Sequence, residues 1–237
     1  MHHTASRSPC IHPRHTQIGA ALAPHLHVLP PRQLVPALTY FAALGSLPPT
    51  VDPACLGARV GSSLPQLQVP GLAVLCWMVL RLRGPPQGVD PEALCAALAP
   101  ALPRMGATEV ATVAEALAVI STQGIMPDHG ADAGVRGALA AAAQRVLPLA
   151  ATPGEVVRTL RALRTLRIAG KVKAGVVAAA VSRAVRAASS ARELSRLLAM
   201  AARVSGVAAR LDGGAVGPAL QLHVGRADGH ALARLLW

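Results

Sequence analysis

The stretch Thr152–Leu166, TPGEVVRTLRALRTL, returns 38 residues later as Ser190–Val204, SARELSRLLAMAARV, and this pair decides the fold. In each copy a hydroxyl side chain able to cap a helix stands four residues before the first apolar anchor, Thr152 before Val156 and Ser190 before Leu194. Pro153 falls at the first helical position, where its missing N–H costs nothing. Beyond the anchors the apolar residues keep helical spacing: Val156, Leu160, Leu163, Leu166 in one copy, and Leu194, Leu198, Ala201, Val204 in the other.

Stepping outward at the same period finds further anchors at Leu34, Leu72 and Val110, and one more at Leu232, with Asp228 as its capping residue. Successive anchors are separated by 38, 38, 46, 38 and 38 residues. Two of the earlier anchors open the runs Leu34, Leu38, Phe41, Leu44 and Leu72, Cys76, Val79, Leu82. The longer step is one period plus eight residues, and the extra residues are expected as a loop around PDHGADAG, Pro127–Gly134. A first helix precedes each second one, as in EALCAALAPAL from Glu92, VRGALAAAAQRVL from Val135 and GVVAAAVSRAV from Gly175.

Helical hairpins repeated in this way bury their apolar faces only against their neighbours. The expectation is an all-α protein, a right-handed α-solenoid of about six two-helix repeats with a 38-residue period. It would occupy residues 18–237, with its basic units at about 135–210 and an extension or targeting segment at 1–17. Trp237 follows Leu232 by only five residues, so the last second helix is short. Trp237 itself or a neighbouring subunit is expected to cover that end.

Composition agrees with a helical core and excludes several classes. The chain is 52% hydrophobic but only 2% aromatic, so Ala, Leu and Val must fill the space between close helices. Its longest uncharged apolar run, Gly71–Leu80, is half of what a membrane-spanning helix needs, and no transmembrane segment is expected. Cys10, Cys55, Cys76 and Cys95 form no C-x-x-C pair and are read as reduced thiols. Cys10 with His12 and His15, or His25 with His27, makes only part of a ligand set, so neither a metal nor another cofactor is expected. No P-loop, G-x-G-x-x-G, G-x-S-x-G or H-E-x-x-H occurs, and His129 beside Asp128 and Asp132 reads as a solvated turn. The sequence therefore predicts neither an enzyme nor a small-molecule substrate.

The charge is concentrated. Residues 136–210 hold fourteen basic side chains against Glu155 and Glu193, a net of +12 that equals the net charge of the whole chain. Arg158, Arg196 and Arg234 each lie two residues past an anchor, while Arg145 and Arg183 each lie eleven before one. A position two past the anchor points about 200° away from it, so stacking would line these arginines up outside the buried stripe. On the fifth second helix Arg192, Arg196 and Arg203 fall on one face, and on the fourth Arg158, Arg161, Arg164 and Arg167 make a broader band. Lys171, Lys173 and Arg186 complete the candidate RNA-binding set. Arginine suits bidentate phosphate contact, and each neutralised phosphate releases counterions. Tyr40, Phe41, Trp77 and Trp237 are the only aromatic residues, and none lies in the basic units, which favours gripping a folded RNA backbone over reading bases.

The 38-residue two-helix unit, together with YFAALG at Tyr40–Gly45, resembles the octotricopeptide repeat family, and the heptatricopeptide and FASTK-like helical repeats are similar. The resemblance implies an organellar RNA-binding solenoid that acts in RNA processing, stability or translation, or that is built into a divergent mitochondrial ribosome. The chain lacks the family's proline-proline-proline-glutamate-tryptophan signature; the nearest stretch is VDPEAL, Val89–Leu94, where Pro91 and Glu92 agree. The acid-poor start, with Arg7, Arg14, Thr4, Ser6, Ser8 and Thr16, is read either as an organellar targeting segment or as an extension that threads into RNA or a neighbour. Together these features lead to the expectation of a structural component of a mitochondrial ribosome, bound to ribosomal RNA and neighbouring ribosomal proteins in the matrix rather than in a chloroplast. An RNA maturation, stability or translation factor remains an alternative, as does a protein-only scaffold subunit of a respiratory or ATP-synthase assembly.

Overall fold

A computed structural model describes residues 13–126 and 131–224. Among the described residues the chain is entirely helical, with eleven α-helices and no strand. Five of these are second helices: α2 (Pro31–Leu44), α4 (Val69–Leu82), α6 (Ala107–Thr122), α8 (Pro153–Thr165) and α10 (Ala191–Ala202). They lie side by side in chain order, α2 on α4, α4 on α6, α6 on α8 and α8 on α10. The first helices form a second layer: α1 (Pro13–Leu22), α3 (Pro53–Ser63), α5 (Pro91–Ala101), α7 (Ala131–Val146), α9 (Ala174–Arg186) and α11 (Gly213–Val224). Within that layer α5 packs on α7, and α9 on α11.

Local chemistry explains where each element starts. Asp52 and Asp90 precede Pro53 and Pro91, and their carboxylates accept from the free amides of the first turn, Ala54 at 3.0 Å for Asp52 and Glu92 at 2.9 Å for Asp90. The expected caps Thr152 and Ser190 accept from the Glu155 and Glu193 amides, both at 3.2 Å. Those glutamates reach back in turn to the chain before the helix, Glu155 to the Ala151 N–H and Glu193 to the Ser189 N–H, both at 2.9 Å. Glu109 does the same for α6 through the Gly106 N–H at 2.7 Å. Asp228 and Trp237 lie outside the described residues.

Three first helices end in the same way. A Leu-Pro pair closes each in a single 3-10 turn, Leu64–Gln66, Leu102–Arg104 and Leu147–Leu149, because proline lacks the N–H that would continue the helix. The first leucine of each turn, Leu64, Leu102 and Leu147, is buried, and the first helix of the following hairpin rests on each turn: α5, α7 and α9 respectively. Arginines fasten one of these junctions and an earlier one, where α3 meets the 3-10 turn Ala23–Val28. Arg59 on α3 donates to the Leu29 carbonyl that ends the 3-10 turn Ala23–Val28, and Arg145 on α7 donates to the Met105 carbonyl at 2.5 Å.

The expected loop at Pro127–Gly134 is corrected in part. Residues 127–130 lie outside the described residues, but Ala131–Gly134 form the first turn of α7. That helix has 16 residues where α3 and α5 have 11, so much of the extra length is taken up as helix. Ala133 and the alanine-rich run that follows favour the helix.

The core runs the length of both layers and is made of Leu, Val and Ala, with Phe41 its largest buried side chain. All five described anchors, Leu34, Leu72, Val110, Val156 and Leu194, are buried. Leu197 is buried as well, while the expected stripe residue Leu198 is only half-buried. No helix among the described residues is long and apolar enough to cross a membrane. Leu117, 1% exposed at the centre of α6, should lose about 2–5 kcal/mol of stability on replacement by Ala. Asp90→Ala, which removes only a cap, should cost about 1 kcal/mol. Urea unfolding followed by circular dichroism should rank the two in that order.

Candidate nucleic-acid interface

The basic side chains predicted from sequence divide between the two layers. On α10, Arg192 and Arg196 are exposed one turn apart, and Arg203 follows at the helix end on the same face. They span about 16 Å of helix axis. Among the described residues none of the three guanidinium groups makes a hydrogen bond or an ion pair. The one acid of α10, Glu193, is already held by the Ser189 N–H and hydroxyl, each at 2.9 Å. Those bonds keep its carboxyl below the ordinary carboxylate range.

On α8 the arginines differ from one another. Arg161 and Arg164 are exposed, whereas Arg158 is half-buried in the seam with α6. Its Nε lies 3.1 Å from Oε2 of Glu115, without the alignment of a hydrogen bond, and its Nη2 is 3.4 Å from the Thr112 hydroxyl. The contact with Glu115 is therefore Coulombic and, at a partly exposed seam, contributes at most about 1 kcal/mol. Burial raises the Glu115 carboxyl above its usual value, against the opposing pull of Arg158 and Arg161. Arg167 ends α8 in the left-handed region, at φ 57°, a backbone conformation that glycine adopts without strain. Lys171 and Lys173 are exposed in the connection to α9.

Three more of the predicted residues, Arg145, Arg183 and Arg186, stand on the first-helix layer. Arg145 is committed to the carbonyls of Leu102 and Met105. Arg183 is exposed on α9, and Arg186 pairs with Asp212. The expected register of Arg145 with Arg183 therefore does not join the α8–α10 surface, and Arg234 lies outside the described residues. Arg136, part of the counted charge, donates to the Leu166 carbonyl at the end of α8.

Sequence reasoning missed Glu115. It lies on α6, outside the basic segment, yet it faces α8 and neutralises one member of the ladder. Its position five residues past Val110 is the one that Arg161 holds past Val156, and this was the signal available. Among the described residues no group of three or more His, Cys, Asp or Glu could hold a metal ion. No protein-family description, curated protein or solved structure matches this chain.

The two acids at the α6–α8 seam titrate with opposite sign. The Thr108 hydroxyl, 2.5 Å from Oε1 of Glu155, leads the interactions that lower the Glu155 carboxyl below its ordinary 4.5. Its stabilising contribution is present above pH 4.5 and is lost as pH falls through the lowered folded value. Glu115, raised by burial, contributes stability at low pH that is lost as pH rises through its folded value. Glu155→Gln should therefore flatten the loss of stability on acidification, and Glu115→Gln should not. Urea midpoints measured from pH 7 down to about pH 3 check this.

Proposed function

We propose that this chain is an RNA-binding structural component of a mitochondrial ribosome that grips ribosomal RNA backbone through the arginine face of α8 and α10. In this reading its framework is a right-handed α-solenoid of about six two-helix repeats with a 38-residue period. Support for the repeat comes from the second helices, which begin at Pro31, Val69, Ala107, Pro153 and Ala191, at separations of 38, 38, 46 and 38 residues.

The observation that carries the RNA reading is the α10 stripe. Arg192, Arg196 and Arg203 are exposed, and their guanidinium groups make no hydrogen bond or ion pair among the described residues, Glu193 acting on Arg196 only through its charge, so they are open to a ligand. Arg161 and Arg164 add to it on the adjacent helix, and Arg158 adds a charge that Glu115 offsets. Phosphate is the ligand such a surface suits, because several guanidinium groups can each grip two oxygens while counterions are released. The ribosomal setting draws on the chain's lack of catalytic motifs and on its organellar resemblance.

Reversal of Arg192, Arg196 and Arg203 to Glu should abolish binding of a ribosomal RNA fragment, read by fluorescence anisotropy, while the helical content stays unchanged. Replacing the three by Gln instead should leave weak binding whose salt slope is smaller by about 2, as expected for three lost phosphate contacts to a single strand. Glu115→Gln, which frees Arg158, should tighten binding. Unchanged affinity in the Glu triple variant would overturn this face.

A further inference from the structure

We propose that Trp77 is a stacking platform for an unpaired base, so that the RNA held by the α8–α10 arginines is single-stranded where it crosses the second-helix layer. The inference rests on the RNA reading above and deepens it by naming the form of the ligand.

Position relative to the core makes the argument. Trp77 lies five residues past the buried anchor Leu72, as Glu115 does past Val110, Arg161 past Val156 and Ala199 past Leu194. Because α4, α6, α8 and α10 pack side by side with equivalent anchors buried, these positions follow one another across the outward side of one layer. The Glu115–Arg158 contact and the Thr112–Arg158 hydrogen bond mark that surface as continuous from α6 to α8.

Trp77 is 36% exposed in a chain whose core had room for Phe41 at 0%. Tyr40 is half-buried against Phe41, with ring centroids 5.7 Å apart. Among the described residues Trp77 is thus the most exposed aromatic ring. Around it on α4, Pro70 is exposed and Ala73 and Val74 are half-buried, and the helix carries no acid, so the surface repels neither a base nor its phosphate.

Two helix spacings separate α4 from α8, about 20 Å. A strand gripped at its phosphates on α8 and α10 can extend over α6 and lay a base on the indole. A base inside a duplex cannot do so, because both of its faces are already stacked on its neighbours. The register therefore joins a backbone grip at one end of the layer to a base contact at the other.

The test uses the full chain carrying Trp237→Phe, which leaves Trp77 as the sole tryptophan. Fluorescein-labelled oligouridylate and an RNA duplex of equal length are titrated, with labelled-RNA anisotropy reporting binding and tryptophan emission reporting contact at Trp77. The expected result is saturable quenching by the single strand and none by the duplex. In the same background Trp77→Ala should weaken single-strand binding about 5- to 150-fold, and Trp77→Phe should retain most of it. Thermal melting of both variants guards against a folding defect, and the quenching readout stands without either. Single-strand binding by anisotropy with unmoved Trp77 emission overturns the inference and leaves the arginine face intact. Failure of both RNAs to bind overturns the RNA reading and this inference together.

Discussion

Each second helix buries its apolar stripe only because another second helix lies beside it, and every other feature of the chain follows from that dependence. The centre of the layer displays it most fully. Along α6, Val110, Ala111, Val113, Ala114, Ala116, Leu117, Ala118 and Ile120 are all buried, leaving only a narrow outward strip. A helix enclosed on so many sides needs small side chains at its contacts, which accounts for a core rich in alanine and nearly free of aromatic rings. The first helices are joined to one another by more local means: proline-closed 3-10 turns on which the next first helix rests, and arginines that take up backbone carbonyls at the junctions.

The same dependence fixes which positions remain for function. Once the anchors face inward, the residues two and five past them are turned outward, and their chemistry is free to differ from helix to helix. On α4 they are Val74 and Trp77, on α6 Thr112 and Glu115, on α8 Arg158 and Arg161, and on α10 Arg196 and Ala199. One surface therefore changes from apolar through polar to basic. Glu115 stands at the boundary, where it offsets the first arginine of the basic half.

Much of the framework was legible in the sequence because anchors and caps are local signals. Thr152 and Ser190 cap the helices that their spacing from Val156 and Leu194 assigned to them. Equally local signals went unread: Asp52-Pro53 and Asp90-Pro91 start first helices, and the Leu-Pro pairs end them. The helical start of α7 was hidden by Asp132 and Gly134, which suggest a turn when read without the alanines beside them. The candidate site was less legible, because a charge count along the chain does not see neighbours in space. Arg145 and Arg186 looked free, yet one is held by Met105 and the other by Asp212. Glu115 sat outside the counted segment although it faces the counted arginines.

The central claim, that this layer of helices carries RNA inside a larger particle, is met most directly by sedimenting native organelle lysate on a gradient with and without RNase. The account predicts that the protein travels with a ribosomal subunit and its RNA, and leaves that position when the RNA is digested. Migration in heavy fractions that RNase does not disturb would contradict it and point to a protein-only assembly. Migration in light fractions apart from ribosomal RNA would contradict the ribosomal role.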